Sequence, residues 1–442
     1  MHTPTTLADC QALDAQDPLA ALREQFFLPS GMVYLDGNSL GALPRSTAPC
    51  LAALLQNEWG QGLIGSWNQA GWLGMPQRVG DKIARLIGAQ PGEVVATDST
   101  SVNLYKVLSA AILIAAQAQP ERCSGTNTQA PRVLLSERGN FPTDLYMAQS
   151  LCAPHGLDLR LVESHELQAA LTSEVAVLLL THVGYHSGAM HDMAALNTQA
   201  HAVGALTVWD LAHSAGAVAL HVHGEGASAN LAHPCACDFA VGCGYKFLNG
   251  GPGAPAFVWV HPQHVNRAAQ PLAGWFGHAA PFAFSGDYSP AQGIARYLCG
   301  TPPLLAMAAL ECGVDSLLTA EPYGGMAALQ AKSHALVALF IDLVEAQCAE
   351  WGVAVASPRE AAQRGSQLSL RLPGENRAYA VVQALIARSV VGDFRPPDIA
   401  RFGVAPLYTR YADVWQAAHS LREVLQKQEW RAPQYQLKNA VT

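Results

Sequence analysis

Charge is what this chain has least of. Only 14% of its 442 residues are Asp, Glu, Lys or Arg, against about 25% in an ordinary soluble domain. Half are hydrophobic, too many for a disordered chain. Lys+Arg 26 against Asp+Glu 34 leaves a net charge of -8, and no basic run occurs anywhere. The electrostatic footprint of a phosphate-backbone binder is therefore missing, which excludes nucleic acid as a partner. A surface so poor in charge has apolar area to hide, and a subunit interface is the simplest place for it. An oligomer is expected.

Long apolar runs are missing too. Runs such as Val175 to Leu180 are strand-sized, so no membrane span is expected. The start, MHTPTTLADC from Met1 to Cys10, has neither the basic residues nor the apolar stretch of a secretion signal, which predicts a cytoplasmic protein. C-x-x-C is absent. The ten cysteines are irregularly spaced, with Cys235 and Cys237 one residue apart, and suit neither a disulfide framework nor a zinc ribbon. They read as small buried hydrophobes in a reducing compartment.

What is present is an alternation of strands and helices. At about 150 residues per domain the length allows two or three domains. Between about Asp98 and Val260 come VLLS at Val133 to Ser136, VAVLLL at Val175 to Leu180, LTVWD at Leu206 to Asp210 and FAVG at Phe239 to Gly242. These runs are apolar on both faces, and helix-length segments such as Met193 to Val203 separate them, which predicts a parallel sheet covered by helices. Chemistry in such sheets gathers at the carboxyl ends of the strands. After Gly300 the pattern changes. Thr301-Pro302-Pro303 opens a long Ala/Leu/Met helix, and another follows around Met326 to Glu350. A strand-like piece at Gln367 to Leu372 and a helix at Ala378 to Ala387 complete a smaller α+β unit. Cys123 to Ala130 reads as a polar loop.

Of the six lysines, Lys82, Lys106, Lys246, Lys332, Lys427 and Lys438, only Lys246 directly follows a buried strand. Its setting, Asp238-Phe-Ala-Val-Gly-Cys-Gly-Tyr-Lys-Phe-Leu-Asn-Gly-Gly-Pro-Gly, surrounds an ammonium with almost no charge. Desolvation there lowers a lysine's pKa and favours Schiff-base chemistry with a carbonyl; a solvated loop lysine reads the same when taken alone. Upstream, Val208-Trp-Asp-Leu-Ala-His-Ser ends a strand with Asp210 and opens a turn with His213. A carboxylate at that place needs a cationic or donating partner. A helix N-cap role accounts for Asp210 by itself but leaves His213 and Lys246 uncoordinated. An aspartate with a lysine on the next strand end is the arrangement pyridoxal phosphate requires, a protonated pyridine nitrogen being the partner of the carboxylate.

The phosphate needs its own cradle. Thr97-Asp-Ser-Thr-Ser-Val-Asn runs from a hydroxyl-rich loop into an apolar-periodic helix through Ala116, so free N–H groups and the hydroxyls of Thr100 and Ser101 meet at a helix N-terminus. That is an anion site or an ordinary capped helix. The loop Gly139-Asn-Phe-Pro-Thr-Asp-Leu-Tyr sets the ring of Phe141, a stacking partner or plain core, beside a carboxylate.

Taken together these segments resemble the kynureninases, fold type I pyridoxal-phosphate enzymes related to class V aminotransferases and cysteine desulfurases. The likeness is carried by Tyr34-Leu-Asp-Gly-Asn-Ser-Leu-Gly, Asn140-Phe-Pro-Thr-Asp-Leu-Tyr, Asp210-Leu-Ala-His-Ser-Ala-Gly, Gly244-Tyr-Lys-Phe-Leu-Asn, Gly274-Trp-Phe-Gly-His and Ala405-Pro-Leu-Tyr, in order along nearly the whole chain. It implies an α/β fold of the fold type I PLP-dependent transferase kind. A large cofactor domain (66–302), with a mainly parallel sheet flanked by helices, follows an N-terminal segment (1–65) that packs on the small domain and the active-site entrance. A connecting helix and a small α+β domain (303–442) come last. By the same resemblance Lys246 is the Schiff-base lysine, Asp210 the partner of the pyridine nitrogen and Phe141 the stacking ring. Thr100, Ser101 and Tyr245 reach the phosphate, and Asp144, Thr181 and His213 line the ring pocket. Trp275 and Thr301 come from the neighbouring subunit of a homodimer. Arg401 receives the substrate α-carboxylate, with Arg395 and Arg410 nearby in sequence, and Ser39 and Trp67 lie on the substrate side.

The implied reaction is hydrolysis of L-kynurenine to anthranilate and L-alanine by Cβ–Cγ cleavage, part of tryptophan breakdown. Lys246 moves protons, and Tyr245 shuttles protons with the phosphate or only anchors it. Trp67 and Thr301 stand where kynureninases of animals tend to carry His and Asn, so plain L-kynurenine is expected to be preferred over its 3-hydroxy analogue. Two rival readings remain. A cysteine desulfurase needs a mobile cysteine, and after residue 300 only Cys312 and Cys348 occur, both in helical patterns. His182, His186, His191, His221 and His223 invite a metal reading, but no H-E-x-x-H spacing is present, and no metal is expected.

Overall fold

The computed structural model describes residues 6–117, 131–224 and 236–438; the stretch Cys123 to Ala130 and Cys235 lie outside them. Seven strands make the main sheet: β1 (Val94–Thr97), β2 (Val133–Glu137), β3 (Asp158–Val162), β4 (Val175–Thr181), β5 (Leu206–Asp210), β6 (Phe239–Gly242) and β7 (Ala256–Val260). Their spatial order is β1-β7-β6-β5-β4-β2-β3. Strands β2 to β6 pair in parallel, as their two-sided apolar sequences imply. Strand β7 departs from that expectation by running antiparallel to both β6 and β1. The chain leaves β6, forms the lysine loop and turns straight back, and a return without a crossover helix must be antiparallel.

Alternate residues of each strand feed opposite cores. Val94, Val133, Leu178, Leu180, Trp209 and Phe257 pack on one side of the sheet, and Val95, Leu134, Val177, Leu179, Val208 and Val258 on the other. Of the helices, α1 (Leu7–Gln16), α2 (Met75–Ile87), α3 (Thr100–Gln117), α4 (Pro142–His155), α5 (Met193–Ala202), α6 (Leu304–Leu318), α7 (Gly325–Cys348), α8 (Arg377–Ala387) and α9 (Tyr411–Gln426) concern us here. Helix α3 covers one sheet face through Leu104, Val107 and Leu108. Helices α2 and α6 cover the other through Val79, Ile83, Met307 and Leu310.

A third core forms where α7, α8 and α9 pack on a smaller antiparallel sheet of order β8-β9-β11-β10, made of β8 (Ala354–Val355), β9 (Gln367–Arg371), β10 (Asp393–Arg395) and β11 (Ile399–Gly403). With its short extension to residue 351, α7 is long and apolar enough to cross a bilayer by length and composition. Its apolar face is already used, since Leu336, Val337, Phe340 and Val344 are buried in this core. The N-terminal segment ties the two parts together. Val33–Tyr34 pairs with Val390–Val391 of the small unit, and Gly41 N–H bonds Tyr245 O at 2.8 Å on the lysine loop. A Cβ at Gly41 would stand 2.4 Å from Lys246 O, so only glycine permits this approach.

Candidate active site

Because β2, β4, β5 and β6 are parallel, their carboxyl ends deliver residues 140–144, Thr181, Asp210 and Lys246 to one edge of the sheet. Lys246 Nζ lies 3.0 Å from His213 Nε2, 6.0 Å from the Phe141 ring centre and 5.6 Å from that of Tyr245. Burial, then the Lys246 charge, holds the His213 imidazole well below its ordinary pKa. A neutral imidazole that accepts at Nε2 carries its proton on Nδ1, and among the described residues that buried atom makes no hydrogen bond of good geometry, although the Gln367 side chain lies near the ring. Asp210 is 3% exposed, and its Oδ1 accepts the Ala212 N–H at 2.7 Å. Burial raises its pKa while the Lys246 charge opposes the rise. Asp144 is raised well above the ordinary carboxylate range, first by burial and then by Asp210. Thr181 Oγ1 lies 3.1 Å from Asp144 Oδ2 and 2.5 Å from Asn140 Oδ1. Two buried carboxylates thus face a single ammonium.

The stretch read from sequence as a loop, Gly139 to Tyr146, turns helical at once. Pro142 opens α4 and puts Asp144 in its first turn, because proline at the first helical position is preorganised and loses no hydrogen bond. Phe141 precedes it with its ring 40% exposed and edge-on to Tyr185 at 5.3 Å. At the start of α3, neither the N–H nor the hydroxyl of Thr100 or Ser101 has a partner among the described residues. Asn103, the fourth residue of that helix, donates from Nδ2 to Thr97 O at 2.8 Å and fixes the loop.

Arg401 lies on β11, directly opposite Asp393 on β10. Its Nε donates to Asp393 Oδ1 at 2.8 Å, Nη1 to Tyr185 O at 2.7 Å, and Nη2 to Ser39 Oγ at 2.8 Å and to Asp393 Oδ2. Arg395 shares Asp393 at 2.7 Å. Arg410 belongs elsewhere, paired with Asp413 at the start of α9. Among the contacts of Arg401, Tyr185 connects it through Phe141 to Lys246. Asp393 and Tyr185 were missed in the sequence; the cross-strand charge pair, eight residues apart around a turn, was the signal that could have found Asp393.

Trp67, Trp275 and Thr301 are not joined to Lys246 by any contact among the described residues. Trp67 sits edge-on to Trp72 at 5.8 Å and to Trp275 at 6.4 Å, and near Phe276 at 6.3 Å. Thr301 is exposed. The histidines of the metal reading go separate ways: His182 to Ser214, His186 to Pro396 O, His191 to Glu137 and His223 to Glu93. Among the described residues no group of three or more His, Cys, Asp or Glu could hold a metal ion. Cys312 and Cys348 are buried, in α6 and at the end of α7.

This architecture is shared with solved structures. A cysteine desulfurase from Thermococcus onnurineus NA1 superposes with a TM-score of 0.72 at 17% identity, covering 92% of this chain and 98% of that one. A C-DES variant with glycine covalently linked to its PLP cofactor gives 0.72 at 15% identity, over 90% and 98%. The fold is that of the fold type I pyridoxal-phosphate enzymes. Within that class the sequence is more specific. It is 51% identical to the kynureninase of Pseudomonas fluorescens over 99% of this chain and 100% of that protein, and 49% identical to that of Burkholderia pseudomallei strain K96243 with the same coverage. Residues 329–421 match the kynureninase C-terminal domain. The chain belongs to the kynureninase family.

Proposed function

We propose that the chain hydrolyses L-kynurenine to anthranilate and L-alanine, with one water consumed, at the cluster around Lys246, and that it uses pyridoxal 5'-phosphate. The observation that carries the reading is the Lys246–His213 contact of 3.0 Å beside buried Asp210 and Asp144, in a chain of this family. The residues suit the cofactor. Phe141 is partly exposed, and among the described residues His213 Nδ1 makes no hydrogen bond of good geometry and Thr100 and Ser101 keep free donors at a helix N-terminus. When bound, pyridoxal phosphate supplies an electron sink for negative charge developing on the substrate. Lys246 removes and returns the proton at the substrate α-carbon. Asp210 holds the ring-nitrogen proton, and a cation there relieves the crowding of two buried carboxylates around one ammonium. Thr181 and Asp144 border the ring, and Tyr245 anchors the phosphate or relays protons to it. Arg401, aligned by Asp393 and Ser39, takes the substrate α-carboxylate.

The functional unit of this proposal is a cytoplasmic homodimer, in which Trp275 and Thr301 complete the partner's site. Exposed Phe282 beside Trp275, Phe284 beside Phe282, and exposed Leu63 and Ile64 support the interface, and the eight described cysteines, all free, support a reducing compartment. The division at residues 65 and 302 is kept as the domain plan. Trp67 is surrounded by aromatic rings, which supports a preference for L-kynurenine over its 3-hydroxy form. The test is direct. Purified protein with pyridoxal phosphate is expected to be yellow and to release anthranilate from L-kynurenine, and Lys246→Ala to lose borohydride-trappable cofactor and turnover together. Normal turnover by Lys246→Ala would overturn the assignment.

A further inference from the structure

Among the described residues Lys106 is the most deeply buried cation, and it plays no part in the scheme above. Its side chain is 0% exposed, on the inner face of α3 among Leu104, Val107 and Leu108. An aliphatic residue would fill that place without a desolvated charge. The ammonium has two partners, Asp98 Oδ2 at 2.5 Å and Tyr297 O at 2.6 Å. Each partner starts a segment of the proposed site. Asp98 has a left-handed backbone, φ +42, and stands two residues before Thr100, with Thr97 Oγ1 on the same carboxylate oxygen at 2.9 Å. Tyr297 ends a short turn that leads through Cys299 to Thr301. Cys299 O accepts the Phe276 N–H at 3.1 Å, and a Cβ on Gly274 would come within 2.3 Å of that oxygen, so the Trp275 segment lies flat against this stretch.

We propose that Lys106 is a positioning residue with two tasks. It neutralises Asp98 beside the Thr100–Ser101 cradle, so that a phosphate dianion is accepted there, and it pins the backbone that carries Trp275 and Thr301. The inference rests on the phosphate reading of that helix N-terminus. Its chemistry follows from charge: without Lys106, Asp98 is an unpaired anion next to an anion site, and removing that anion as well restores the balance.

The experiment titrates apo-protein with pyridoxal 5'-phosphate and, separately, with pyridoxal, which lacks the phosphate, following cofactor absorbance. Lys106→Met is expected to weaken pyridoxal phosphate at least tenfold and pyridoxal less than twofold. Lys106→Met with Asp98→Asn is expected to recover pyridoxal phosphate affinity while the KM for L-kynurenine stays raised, because the Tyr297 tether is still missing. Equal weakening of both ligands, or no recovery in the double variant, overturns the proposal. Should Lys106→Met fail to fold, Asp98→Asn alone decides: affinity for pyridoxal phosphate equal to or tighter than wild type supports it, and a tenfold loss overturns it. Failure of the wild type to bind pyridoxal phosphate would instead refute the functional reading, since only ratios between variants bear on Lys106.

Discussion

At the carboxyl end of β5, the proposed role of Asp210 depends on its negative charge. Asparagine keeps the shape of Asp210 but puts a neutral NH2 donor in place of a charged acceptor oxygen, so Asp210→Asn should fold and keep pyridoxal phosphate but lose at least about a hundredfold in kcat, roughly 2.7 kcal/mol in the barrier. Activity within a few-fold of wild type would remove Asp210 from that role. Behind it, the backbone N–H of His182 bonds Asp210 O at 2.9 Å and its Nδ1 contacts Ser214 at 2.9 Å. Burial pulls the His182 pKa from 6.5 down to about 4. As pH falls the unfolded chain therefore takes up the proton first. The stability contributed by neutral His182 is whole above about 6.5 and is lost between there and about 4, a difference on the order of 3 kcal/mol. Urea midpoints measured from pH 7 to pH 4.5 should fall, and His182→Gln, which keeps a partner for Ser214, should flatten the fall. An unchanged slope in the variant would show that His182 is not its source.

Among the elements, the β10–β11 hairpin does the most with the fewest residues. Its register sets Asp393 against Arg401, and the Nε edge of the guanidinium is thereby spent on a neighbour while the Nη atoms reach Tyr185 O and Ser39. A lysine has no such fork. Arg401→Lys is expected to raise the KM for L-kynurenine at least tenfold with kcat within about threefold. A loss in kcat at unchanged KM would place Arg401 outside carboxylate binding. The hairpin was hard to read in the sequence because β10 is three residues long and β11, Ile-Ala-Arg-Phe-Gly, buries an arginine. Four of the seven main-sheet strands, β2, β4, β5 and β6, were by contrast legible from their apolar runs, as was the lysine that follows one of them, whereas β3, Asp-Leu-Arg-Leu-Val, carries two charges and was not. Asp144 was read in a loop and lies instead in the first turn of α4, since a helix begun by Pro142 has no apolar period of its own there.

For the molecule as a whole, the scarcity of charge goes with large apolar groups left exposed. Phe284 is 83% exposed, Ile64 82% and Phe282 56%, and Phe282 reaches Trp275 at 5.9 Å. If Trp275 serves the partner's site, two inactive variants can repair one another. Lys246→Ala and Trp275→Ala, unfolded together and reassembled in equal amounts, should regain about a quarter of wild-type activity. Half of randomly paired dimers are hybrids, and one of the two sites in each hybrid carries neither lesion. Activity no greater than the sum of the separate variants would show that each site is built from one chain.

Local chemistry was decided by the sequence alone. A lysine or an aspartate at the end of a strand buried on both faces can only sit at the carboxyl edge of the sheet, so Lys246, Asp210 and His213 could be named together, and the ordered motifs from Tyr34 to Tyr408 carried the family. What joins distant segments was decided by tertiary structure. Which of Arg395, Arg401 and Arg410 faces the cluster depends on a strand register, and Arg410 turns to Asp413 instead. The antiparallel return of β7, the docking of Gly41 on the lysine loop and the Lys106 tether to Tyr297 each depend on residues far apart in the chain. Hydrophobic period and motif spacing report on a dozen residues at a time, whereas these contacts are settled only when whole layers pack and every buried charge has to find its partner.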